Sequence, residues 1–232
     1  MEPNYDYNNV NDFNSVNTLD NNVVTKTFFW MFLGLLGTAI VAWYTFSSGL
    51  YYNIASNSSF AMLAIFEVVV VLVFSLCFRK LSPTIVAGLY FLYSMINGVV
   101  FSTIFVVYNM DSIIYAFAAT AALFAGLAFY GYKTKEDLTK LGNICIIALI
   151  VGLVFSVVNL FVGSSLLDII ITWVMLAIFC GLTAYDLNKL KTAATTGAME
   201  ADKLHIYFAM QLYLDFINIF IRLLRLMGSR RN

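Results

Sequence analysis

The sequence predicts an all-α, polytopic membrane protein. Hydrophobic residues make up 61% of its 232 residues and charged residues only 11%. A water-soluble domain carries about 25% charged residues, so the ionic surface of a soluble body is missing. The mean hydropathy is +0.85, and the apolar residues collect in windows of bilayer-spanning length separated by loops of a few residues. Thirteen basic residues balance thirteen acidic ones, which excludes a basic nucleic-acid binder. Three Cys and one His cannot furnish a four-ligand zinc site without carboxylates.

The first 25 residues hold eight Asn, four acids and no Lys or Arg. Lacking an apolar period, they predict a disordered, Asn-rich cytoplasmic tail ahead of a membrane domain over 26–232. The first apolar run is too long for the core of a secretory signal. About 20 apolar residues cross the hydrocarbon core as a helix. On that criterion spans fall at roughly 27–47, 60–79, 84–107, 112–132, 142–162 and 167–187. A seventh, less apolar, falls at roughly 205–227. Short loops force neighbouring helices to run antiparallel.

Lys26, Arg79, Lys80, Lys133, Lys135, Lys140, Lys189, Lys191 and Lys203 all fall on the face that holds the N-terminus, whereas the loops around 48–59, 108–111 and 163–166 contain no Lys or Arg. By the positive-inside rule the N-terminus is expected in the cytoplasm. The last helix conflicts with that rule. A full crossing carries Arg222, Arg225, Arg230 and Arg231 to the opposite end, and the expectation here is that it crosses nonetheless, enclosed by the other helices.

That helix also concentrates the polar residues. Gln211, Asp215, Asn218, Arg222 and Arg225 recur at spacings of 4, 3, 4 and 3, which gathers them into one stripe at about 100° per residue. Such a stripe faces protein or water, and ionisable residues at membrane depth mark functional sites by default. Asp215 falls deep in its span. Asp186 closes the sixth span and Arg79 the second, at matching depth, so they either form an ion pair or each reach to the headgroups. Glu67 falls near the middle of its span, where it needs a cavity. Two neighbouring carboxyl groups titrate as a unit and attract a divalent cation such as Ca²⁺. The depths of Asp186 and Asp215 do not match if the sixth span ends near 187. His205, the sole histidine, falls at the mouth of the last helix and reads as an interfacial polar residue.

The run Leu212-Tyr213-Leu214-Asp215-Phe216-Ile217-Asn218-Ile219-Phe220, continuing to Leu223-Leu224-Arg225-Leu226-Met227-Gly228, resembles the signature last helix of the Bax inhibitor-1 family, also called the transmembrane Bax inhibitor motif family. Ala184-Tyr185-Asp186 resembles its sixth-helix motif, Tyr93 to Gly98 its third helix, and Tyr130 to Leu138 the loop after the fourth helix in bacterial, YccA-like members. The likeness covers the chain from about residue 26. It implies seven transmembrane helices with the seventh in the centre, in a bacterial plasma (inner) membrane, and a pH-sensitive calcium leak. Asp186 and Asp215 match the family's proton-sensing and cation-binding aspartates, and Arg79 its latching arginine. Glu67, Gln211, Asn218 and Arg222 are then expected to line the path. No enzyme activity and no cofactor are implied; the partners are the bilayer, calcium ions and protons, with no nucleic acid.

Two other classes share some of these features. An intramembrane aspartyl protease also pairs two carboxyl groups as acid and base. It wants glycines before its second aspartate, where this chain has Leu212, Tyr213 and Leu214, and a Pro-Ala-Leu motif, whereas the only prolines are Pro3 and Pro83. A non-conducting regulator of stress or cell death would act through its tail and loops, in which no binding chemistry is recognisable.

Overall fold

The computed structural model describes the backbone of residues 7–55, 80–196 and 201–229, with side chains over 22–52, 80–196 and 203–229. The described residues form helices and no strand. In chain order these are α1 (Tyr7–Ser47), α2 (Leu50–Ala55), α3 (Pro83–Phe101), α4 (Ile104–Val107), α5 (Met110–Lys133), α6 (Thr139–Val162), α7 (Ser165–Thr196) and α8 (Ala201–Met227). Among the described residues, six helical segments are long and apolar enough to cross a membrane, α3 and α4 together supplying one of them. The expected span at 60–79, with Glu67 and Arg79, lies outside the described residues, as do Arg230 and Arg231.

Local sequence explains where the helices turn. Pro83 begins α3, where a missing N–H costs nothing. Gly163, at φ 67°, ends α6 in the left-handed region, and Ser164 then caps α7 by accepting the Leu167 N–H at 3.3 Å. Two elements differ from expectation. Helix α1 runs back to Tyr7, into the segment expected as a disordered tail; once a helix is nucleated, each added residue gains a hydrogen bond. Helix α7 runs nine residues beyond the expected end at 187. Contacts with protein carry it onward: Leu187 and Leu190 are fully buried, and the Asn188 amide ties it to the 136–138 loop, donating to the Glu136 carbonyl at 3.2 Å and accepting the Leu138 N–H at 3.4 Å.

Helix α8 is the centre of the bundle. In its most apolar stretch 72% of residues are buried, against 11% in α6, which is the most apolar span and faces outward. The order is inverted relative to a water-soluble protein because lipid is as apolar as a leucine side chain, so apolarity drives no helix inward, while polar groups must be enclosed.

The face of α8 turned toward α1, α3 and α5 is aromatic. Tyr213 packs edge-on to Tyr90 and Tyr93, with centroids 5.9 and 6.0 Å away, and its hydroxyl is 2.7 Å from that of Thr38. Phe216 meets Phe117 and Phe124, also edge-on. Helices α5 and α7 touch backbone to backbone at Gly131, where a Cβ would collide with the Ala184 carbonyl. That contact fixes α7 two residues, about half a turn, from its aspartate.

Helix α8 is unbroken, and its C-terminal end meets the turn between α4 and α5. Asn109 N–H donates to the Ser229 carbonyl at 3.3 Å and Ser229 N–H to Ser112 Oγ at 3.0 Å. It therefore crosses the bundle fully and does not turn back.

Candidate functional site

Asp215 lies in the enclosed middle of α8, 3% exposed. Its Oδ2 is buried without a hydrogen-bond partner, and its carboxyl is hydrogen-bonded to the Thr183 side chain of α7. Asp186, half-buried on α7, is close enough to act on Asp215 electrostatically. The mismatch in depth narrows because α7 is longer than expected. Asp186 is ten residues from the end of α7 at Thr196, and Asp215 fourteen from the start of α8 at Ala201. With about 1.5 Å of rise per residue, the two lie within roughly 6 Å of the same level.

Gln211, Asn218 and Arg222 are half-buried on the face of α8 that carries Asp215. Asn218 Nδ2 donates to the Leu214 carbonyl of its own helix at 2.9 Å. Arg222 reaches a polar cavity of about 480 Å³ that also includes Asp168 and Arg225. A second polar cavity, of about 550 Å³, takes in Glu136, Asp137, Tyr185, Asn188 and Lys189. These cavities lie at opposite ends of α7 and share no residue. Between them Met175, Phe179 and Leu182 of α7 and Leu212, Phe216 and Ile219 of α8 belong to one packed core.

The expected latch, Arg79, and the expected path residue Glu67 fall outside the described residues. Among the described residues no three His, Cys, Asp or Glu side chains converge as metal ligands. Three groups at the site were not singled out from the sequence. Thr183, one turn before Asp186, is masked in a sequence by its commonness in membrane helices. Lys189, whose charge acts on Asp186 and whose Nζ sits 5.2 Å from the Tyr185 ring centroid, was legible from its spacing of three. Asp168 pairs with Arg225, and only the fold brings those two together.

Helices of this arrangement define a multi-spanning membrane protein whose enclosed central helix presents a buried carboxyl to a second carboxyl on the helix before it. The chain belongs to the Bax inhibitor-1 family. The family model described as "Inhibitor of apoptosis-promoting Bax1" matches residues 20–232. The chain is 39% identical to the inner membrane protein YbhL of Escherichia coli, over 90% of this chain and 92% of that one. It is 35% identical to an uncharacterized protein of Borreliella burgdorferi, over 92% and 94%. With an uncharacterized membrane protein of Streptococcus pyogenes it shares 38% identity, over 71% and 72%.

Proposed function

We propose that this protein is a cation leak pathway of a bacterial plasma membrane, with calcium as the permeant ion, gated by proton occupancy of Asp186 and Asp215. The observation that supports it is the electrostatic coupling of a carboxyl group enclosed in the central helix to a second one on the neighbouring helix, beside a polar cavity at one end of the bundle, with another polar cavity at the opposite end. A hydroxyl has one proton, and that of Thr183 goes to the Phe179 carbonyl at 2.8 Å. The Thr183 hydroxyl therefore has both the Phe179 carbonyl and the Asp215 carboxyl as neighbours. A change in proton occupancy changes the charge between α7 and α8, and with it their packing. Arg79 is the residue proposed to latch Asp186, and Glu67, Gln211, Asn218 and Arg222 are those proposed to line the path.

The lysines at 133, 135, 140, 189, 191 and 203 support a cytoplasmic N-terminus. The E. coli relative is named as an inner membrane protein, which supports the same compartment here. Nothing in this reading requires a catalytic step or a resident cofactor; calcium is cargo.

The test is calcium flux into proteoliposomes over a pH series for the parent, Asp186→Asn, Asp215→Asn and Arg79→Ala. Flux in the parent that varies with pH, and a flattened profile in both aspartate variants, is the expected result. Parent flux no greater than in empty vesicles at every pH sinks the conduction reading. Unaltered profiles in the aspartate variants keep conduction and remove the sensor. Cleavage of transmembrane peptides that needs both aspartates would turn the assignment to a protease.

A further inference from the structure

We propose that the polar cavity at the C-terminal end of α8 is a binding site for a phosphate group, with Arg222 as its principal ligand. The cavity, about 480 Å³, lies between α6, the start of α7 and the end of α8. Two guanidinium groups and one carboxyl group face it, and the carboxyl group, Asp168, is already paired with Arg225. One positive charge is left over. It belongs to Arg222, whose Nε is buried and has no hydrogen-bond partner. A buried donor left without an acceptor costs more than an ordinary hydrogen bond returns.

The neighbouring polar groups are each engaged with backbone and carry no charge to balance it. Ser156 donates to the Gly152 carbonyl at 2.8 Å. The Asn159 amide is engaged twice with the Ser164 backbone, at 3.2 and 3.1 Å. Ser164 Oγ accepts the Leu167 N–H. Among the described residues, Asp168 is the one carboxylate in the cavity, so the cavity holds one more cation than anion. Helix α7 begins at its wall, and the partial positive charge of a helix N-terminus adds to that of Arg222. A guanidinium presents a planar fork that matches phosphate oxygens.

Surroundings suggest where such a phosphate comes from. Leu160, Phe161 and Leu166, at the same turn, are 82%, 87% and 68% exposed. Apolar side chains of this size belong in the acyl region, so the adjoining cavity opens at headgroup level. A phospholipid headgroup and free phosphate share the required chemistry. The inference rests on this cavity alone and does not depend on conduction.

Thermal unfolding of the full-length protein in detergent tests it, with phosphatidylglycerol, phosphatidylcholine or inorganic phosphate added at matched ionic strength. Stabilisation by phosphatidylglycerol at concentrations where phosphatidylcholine has none is expected. Arg222→Gln should raise the lipid concentration needed by roughly tenfold, and Arg222→Lys by less. The same stabilisation by inorganic phosphate identifies free phosphate as a sufficient ligand, and stabilisation by the lipid alone identifies the headgroup. If neither phosphatidylglycerol nor phosphate stabilises the parent, or if Arg222→Gln and Arg222→Lys both respond as the parent does, the site is not there. The comparison of ligands on the parent decides the matter even if the glutamine variant does not fold.

Discussion

Asp168, in the first turn of α7, is ion-paired with Arg225, in the last turn of α8. The pair ties the start of one helix to the end of the next. Arg225 has an acid waiting there, contributed by a helix that starts at that end.

Asp168→Asn and Arg225→Gln should each lower stability by about 1 kcal/mol, a modest amount because both side chains are partly exposed, 32% and 42%. The exchange Asp168→Arg with Arg225→Asp should recover part of the loss. Thermal unfolding of the two single variants and of Asp168→Asn combined with Arg225→Gln gives the coupling; a double variant as unstable as the sum of the singles would show that the pair contributes nothing.

Gly131→Val should disturb the contact between α5 and α7, because any Cβ there strikes the Ala184 backbone, which cannot rotate away. A loss of about 1–3 kcal/mol is expected. Gly126→Ala, on the same helix with nothing within 4 Å of its Cβ position, should be nearly neutral. Comparing the two by detergent denaturation separates close packing from a general intolerance of larger residues in α5.

Tyr213→Phe removes the hydroxyl that meets Thr38 at 2.7 Å but keeps the ring between Tyr90 and Tyr93. The expected cost is about 1 kcal/mol. Thr38→Val should cost more, since Thr38 Oγ1 also lies 2.9 Å from the carbonyl oxygens of Gly34 and Ser94. Equal effects would mean that the contact with Tyr213 carries all of the interaction.

The Asp137 carboxylate accepts hydrogen bonds from the backbone N–H and hydroxyl of Thr139, and these hold it below the usual aspartate range. A carboxyl group depressed in the folded state contributes stability above its unfolded value and loses it as pH falls through the folded one. Asp137→Ala should therefore lower the melting temperature slightly at neutral pH. The difference from the parent should close below about pH 4. A gap that persists unchanged in acid would assign the effect to helix geometry and not to the charge.

Much of the fold was legible because its signals are local. Runs of apolar residues long enough to cross a bilayer, Pro83 at a helix start and the Gly163-Ser164 turn all act within a few residues of themselves. The polar stripe from Gln211 to Arg225 was legible as well, since a helix alone fixes which residues share a face. Where α7 ends was not, because the residues that extend it past 187 are held by partners elsewhere in the chain, among them the 136–138 loop.

By itself, then, the sequence determined that this chain crosses a membrane as helices and that its last helix carries polar groups that lipid cannot receive. Hydropathy and helical period are properties of a segment, and they need no neighbour. Only the tertiary structure decided that Asp186 comes within electrostatic reach of Asp215, that Thr183 neighbours both Asp215 and the Phe179 carbonyl, and that Asp168 answers Arg225. Those relations join residues that are far apart along the chain, and their distances follow from helix length, tilt and close approach at glycines such as Gly131, quantities that no single segment contains.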